Sequence, residues 1–326
     1  MRRTASALAL AALVVLAACG DDDGGAAAPT TAAPTTAAPA TAPATTAAPT
    51  TTAAAFPVTV EGANGTVTLD ERPDAIVSLS PTATEMLFAI GAGPQVVAVD
   101  DQSTFPDDAP RTDLTGLEPN LEAIAAYEPD LVVVSNDIRG VLDGLASLDI
   151  PALLLPAAAD LDGTYEQLEV LGAATGNADG AAELVASMQT EIDELVASAP
   201  DTPEALTYFH ELDPTLYTAT SGTFIGQVYA LAGLENVGDA ADDGSGYPQL
   251  SAEFLVAADP DLIFLADTKC CGESAATVAA RPGWAELTAV QAGNVVELDD
   301  DVASRWGPRV VEFLAAVVAA MEATAG

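Results

Sequence analysis

The chain has 326 residues and carries 9 Lys and Arg against 49 Asp and Glu, a formal net charge of −40. That balance excludes nucleic acid as a partner, because phosphates need cationic side chains opposite them, and excludes adhesion to anionic lipid head groups. An acidic surface that keeps an exported protein soluble accounts for most of these carboxylates.

Arg2 and Arg3 precede an apolar run, Ala7 to Ala18, that is too short to span a bilayer permanently. It ends in Leu16-Ala17-Ala18-Cys19-Gly20, which resembles the bacterial lipobox. Residues 1–18 are therefore expected to be a signal peptide, with Cys19 as the lipidated first residue of the mature chain. Residues 19–55 are almost entirely Ala, Thr and Pro after a short acidic start. They lack the apolar bulk for a core and suit an extended tether between membrane and domain.

The remainder is long enough for two lobes with substantial cores. Val58 to Leu69 alternates around Asn64-Gly65 and predicts a hairpin. Ala75 to Leu79 reads as a buried strand, followed by a helix that Ser80 caps and Pro81 opens, with Glu85 three residues after Thr82 at capping-box spacing. Further strands are expected at 95–99, 131–134 and 151–155, and a helix at 121–127. Such alternation predicts parallel sheets covered on both faces. Residues 164–199 are rich in Ala, Glu and Leu at helical spacing, interrupted near Gly172, Gly176 and Gly180, and predict a long helical connection. The scheme then repeats, with strands at 205–212, 262–266 and 295–298 and helices at 223–231, 253–257 and 308–323. The expected fold class is α/β: two similar lobes, 56–163 and 200–326, with mostly parallel sheets, joined by a long rigid helix at 164–199, and a ligand cleft between them.

Two segments support the duplication. Pro119 to Asp137 and Pro248 to Thr268 each place a glutamate, Glu122 or Glu253, seven residues before Pro-Asp-Leu and an apolar run. Ser80 to Gly91 is likewise similar to Ser221 to Ala232. A repeat of this length indicates a doubled architecture and not a solenoid.

Catalytic constellations are absent. There is no phosphate-binding Gly-rich loop, no GxSxG elbow, a single lysine (Lys269) and a single histidine (His210). No enzyme activity, cofactor or metal is expected. Beyond Cys19 the only cysteines are adjacent, Cys270 and Cys271, which outside the cytoplasm either pair or stay as thiols. Binding features are better represented, because ligands of open parallel sheets sit beyond the carboxyl ends of the strands. The loops expected there carry Phe105, Asn136 and Arg139 in the first lobe. In the second they carry His210, Tyr217, Tyr247, Asp301, Arg305 and Trp306. Trp284, in Arg281-Pro282-Gly283-Trp284, is expected to anchor a loop on the core.

Ile76 to Gly93, the two Glu-to-Pro-Asp-Leu segments, Ser221 to Val237, Arg281 to Asp301 and Gly307-Pro308-Arg309 together resemble the substrate-binding lipoproteins of ABC importers. The similarity lies with the group that handles cobalamin, haem and ferric siderophores. It implies two α/β lobes, a rigid connecting helix, small lobe motion and a ligand cleft. It further implies a permease dimer with its ATPase as partner, one docking glutamate per lobe at Glu122 and Glu253, and a monomer anchored to the membrane's outer face through Cys19. The segments Tyr247-Pro248 and Asp299 to Arg309 look more like cobalamin binders than haem binders. Haem, reached by His210 or Tyr217, and a ferric siderophore stay open, as does a surface lipoprotein without a transport role.

Overall fold

The computed structural model describes residues 56–325; the expected signal segment, Cys19 and the tether lie outside the described residues. A hairpin opens the fold, β1 (Val58–Gly62) against β2 (Gly65–Leu69), turning at Ala63-Asn64. The chain then runs through β3 (Ile76–Leu79), α1 (Pro81–Ala89), β4 (Val96–Val99), α2 (Leu121–Ala125), β5 (Leu131–Val134), α3 (Val141–Ala146) and β6 (Ala152–Leu154). These strands form a parallel sheet in the order β4-β3-β5-β6. Ser80 caps α1, accepting from the Ala83 N–H, and Pro81 is its first residue. Glu85 takes no part in that cap. Its spacing to Thr82 is incidental, and its carboxylate is used elsewhere.

The connection consists of two helices, α4 (Leu161–Thr175) and α5 (Ala178–Ser198). The break falls at Gly176, which ends α4 in the left-handed conformation at φ 72°, where only glycine is unstrained. Close approach of the two helices is permitted by Gly172, where a Cβ would lie 2.5 Å from that of Ala181.

The second lobe runs β7 (Thr207–Glu211), α6 (Phe224–Leu231), β8 (Glu235–Asn236), α7 (Ala252–Ala258), β9 (Leu262–Leu265), α8 (Ala275–Ala279), α9 (Thr288–Ala292), β10 (Val295–Glu297), α10 (Asp300–Ser304) and α11 (Val310–Ala325). Its parallel sheet has the order β8-β7-β9-β10. In both lobes the first strand lies between the second and the third, so both have the same topological switch point beside their first strand.

The repeated Pro-Asp-Leu does the same structural work twice. Asp130 accepts from the backbone N–H groups of Asp74 and Ala75 at 2.9 and 3.0 Å. Asp261 accepts from the N–H and hydroxyl of Thr207 at 2.9 and 2.8 Å. Each aspartate thus ties the start of its lobe's third strand to the start of the first.

Packing follows the strand alternation. One face of the first sheet is sealed by α2 and α3 around Val77, Ile124, Val132 and Leu145. One face of the second is sealed by α7, α8 and α9 around Phe209, Leu255, Ile263 and Trp284. The remaining faces share a single core through α1, α4, α5, α6 and α11, with Met86, Leu168, Met188, Tyr229 and Phe313 all nearly inaccessible. Each fully buried side chain of this size contributes about 1.5–3 kcal/mol.

Candidate ligand-binding site

The loops leaving the carboxyl ends of both sheets meet across the lobe boundary. At the centre is Glu85 on α1, 3% exposed. Its Oε1 accepts from Arg305 Nη1 at 2.6 Å and from Arg309 Nη2 at 2.6 Å, and its Oε2 accepts from Arg309 Nε at 2.9 Å. Both arginines come from the second lobe and are nearly buried. Those bonds push the Arg309 guanidinium further up. Arg305 also donates to Asp301 at 2.7 Å and to the Gln102 carbonyl at 3.0 Å. Thr104 donates to Asp301 at 3.0 Å. The Phe105 ring lies 4.4 Å from the Arg309 guanidinium carbon, within cation–π range. The result is a charge-balanced bridge between the lobes.

Trp306 belongs to the same bridge. Its indole N–H donates to Gln167 at 3.0 Å, and its carbonyl accepts from Thr164 at 3.0 Å, fastening the loop after α10 to α4. Beside it, Gln227 on α6 donates to the Ala159 carbonyl at 2.6 Å. A groove of about 470 Å³ lies there, between Asp160 to Asp162 and Phe224 to Leu231.

Exposed aromatic rings stand on the loops that follow β4, β7 and β8. Phe105 is 42% exposed, Tyr217 40% and Tyr247 47%. The two tyrosines share one surface, because Tyr217 pairs with Gln249 and the Thr218 N–H donates to the Pro248 carbonyl at 3.1 Å. Asn136 and Arg139 are exposed on the loop after β5, and Arg139 pairs with Glu118 at 2.6 Å.

His210 has to be corrected. It is 0% exposed, with Nδ1 2.7 Å from the Tyr229 hydroxyl and its ring against Phe313. Burial holds its pKa down at about 3. On β7, Tyr208 and His210 face the shared core while Phe209 and Glu211 face the outer one, so strand alternation puts the imidazole inside.

Two clusters escaped the sequence reading. One is the Glu85 bridge itself. The other sits at the switch point of the second lobe, where Glu211 ends β7 and Asp267 follows β9. Glu211 is 0% exposed and accepts both terminal nitrogens of Arg281, which also donates to Glu273 at 2.8 Å. Asp267 is 0% exposed, no donor group reaches either of its oxygens, and its side-chain neighbour is the carboxyl of Glu211. Burial first, then the charge of Glu211, pushes its carboxyl up to about 7. Glu211 is raised as well, by burial. The legible signal was a carboxylate at the end of β7 and another two residues after the apolar β9. Trp284 is buried beneath, with Arg281 4.6 Å over its ring.

Comparison with known proteins agrees with this architecture. Residues 76–302 match the family model described as periplasmic binding protein. The chain belongs to that family, whose members bind and deliver ligands and are not enzymes. It is an extracytoplasmic ABC substrate-binding protein of the cobalamin, haem and siderophore group. It is 33% identical over 282 residues to a cobalamin-binding protein of Halobacterium salinarum, covering 83% of this chain and 76% of that protein. It is 32% identical over 267 residues to YvrC of Bacillus subtilis, an uncharacterized ABC transporter substrate-binding lipoprotein, covering 79% and 83%. Among solved structures, the periplasmic vitamin B12-binding protein BtuF of Vibrio cholerae is 25% identical with a TM-score of 0.65, covering 78% of this chain and 98% of that one.

Proposed function

We propose that the protein captures cobalamin between its lobes and delivers it to a membrane permease. The observation that carries this reading is the combination of exposed rings on loops that follow strands of both sheets, Phe105, Tyr217 and Tyr247, with arginines already neutralised by Glu85 and Asp301. A large ligand held by shape, aromatic packing and polar contacts fits such a surface. Anionic ferric siderophores, and haem with its propionates, call for unpaired cations at the site. Burial of His210 removes one haem ligand, and the names of the sequence relatives also favour cobalamin. Tyr217 keeps the haem reading in play, since an exposed phenol can reach iron.

Titration calorimetry with cyanocobalamin is expected to show one-to-one binding. Tyr217→Ala or Tyr247→Ala should weaken it by roughly tenfold or more, as for an aromatic anchor. Haemin binding with a spectral shift that Tyr217→Phe abolishes would replace cobalamin by haem.

Delivery would use Glu122 and Glu253. Each is the second residue of its helix, after the caps Asn120 and Ser251, and each is exposed. Helices of five and seven residues have little dipole for these acids to stabilise, whereas one carboxylate per lobe suits arginines on a two-fold permease. Glu122→Lys combined with Glu253→Lys should reduce uptake at least about tenfold and leave ligand affinity unchanged, since charge reversal converts attraction to repulsion. Uptake equal to wild type would exclude this role. Attachment through a lipidated Cys19, with the chain acting as a monomer, completes the reading.

A further inference from the structure

Cys270 and Cys271 form a disulfide on the exposed loop that leaves the carboxyl end of β9. We propose that this disulfide is a reversibly reducible site whose state sets how firmly the loop holds the bridge between the lobes.

A staple for stability is a poor account of the bond. Cross-linking neighbours closes almost no loop, so it removes almost no entropy from the unfolded chain. Both cysteines are exposed, and exposed disulfides outside the cytoplasm are the ones open to thiol attack. The pair is also not part of any buried cluster.

What the pair does control is its own loop. The Lys269 N–H donates to both Asp300 oxygens at 3.0 Å, and the Cys270 N–H donates to Asp300 at 2.8 Å. The Cys271 N–H donates to the Asp267 carbonyl at 3.2 Å. From this fixed backbone, Lys269 Nζ reaches Asp299 at 2.7 Å and Asp301 at 3.3 Å. Asp301 is the residue that accepts from Thr104 of the first lobe and from Arg305. The small ring closed across the 270–271 peptide bond is thus two contacts away from the lobe boundary. Opening it frees two side chains and one peptide unit in the segment that positions Lys269 against Asp301.

The chemistry is a two-electron thiol–disulfide exchange with a dithiol reductant. One thiolate of the reductant attacks a cysteine Sγ, the S–S bond breaks, and the other protein sulfur leaves as thiolate and takes a proton. The second thiol of the reductant then displaces the first protein sulfur. The products are two protein thiols and the oxidised, cyclic reductant.

The test uses the full chain with dithiothreitol as reductant and iodoacetamide as trap, read by intact mass and by backbone hydrogen exchange. Mild reduction should add two alkyl groups to the folded protein with little change in melting temperature. Exchange should quicken several-fold at 268–272 and also at 299–305. Cys270→Ser with Cys271→Ser should show the reduced pattern and no response to dithiothreitol. Failure to alkylate the folded protein, or unchanged exchange at 299–305, would overturn the proposal. A last arm rests on the cobalamin reading: the double variant should bind cyanocobalamin at least about threefold more weakly than the oxidised parent. Equal affinities would overturn the link to ligand capture, while absence of binding by the parent would count against cobalamin and leave the exchange data to decide.

Discussion

Glu85→Ala is expected to lower folding stability by about 3–5 kcal/mol, the range for removing one partner of a buried ion pair. The change leaves the guanidinium groups of Arg305 and Arg309, only 11% and 13% exposed, facing an empty position. At about 2–4 °C per kcal/mol for a chain of this size class, the melting temperature should fall by on the order of 10 °C. Arg305 keeps Asp301 and the Gln102 carbonyl as acceptors, whereas Arg309 is left with the Phe105 ring. Pairing Glu85→Ala with Arg309→Ala should therefore show coupling of at least about 0.5 kcal/mol. A melting temperature within about 2 °C of wild type, on the scale just used, would mean that the bridge carries no stability.

Asp267→Asn is expected to stabilise the protein at pH 8 by about 2–4 kcal/mol and to change little at pH 4. The Asp267 carboxyl is faced by Glu211 from β7 and by Glu273 and Arg281 flanking α8, three carboxyls around one cation. Its ordinary value is 3.8, and in the fold it keeps its proton up to about 7. Between those values the native state holds a proton that the unfolded chain has released. Stability therefore falls as pH rises through that window and levels above it. His210 has the opposite sign. Its pKa drops from 6.5 to about 3, so between those values the unfolded chain binds a proton that the native state refuses, and stability rises with pH. The two slopes oppose each other in the wild type, so the informative quantity is the difference between variant and parent. Urea melts at both pH values give it, and a gain independent of pH would refute the assignment.

Much of the fold could be read from local pattern. Ser80-Pro81 announces the start of α1, Asn64-Gly65 the hairpin, and the Pro-Asp-Leu repeat the doubled sheet. The two clusters that hold the site together could not be read in this way. Glu85 sits at a spacing that suits a helix cap, and its true partners are 220 and 224 residues away in sequence. His210 lies at a strand end, where one residue of register decides between cleft and core; the alternation of Tyr208, Phe209 and Glu211 was needed to place it. Asp301, Arg305 and Trp306 fall in a predicted loop, but their mutual bonds and those to Gln167 depend on the packing of α4 against the second lobe. Glu122 and Glu253 were visible only because the repeat presents them twice.

The core shared by the two lobes bears on how they unfold. Each sheet has one face sealed by its own short helices and the other facing one core that runs through both lobes. A chain containing a single lobe would expose the part of this core that packs on the other lobe's helices, apolar surface of the kind that soluble monomers keep small. The two lobes are therefore expected to unfold together, with α4 and α5 inside the core that joins them.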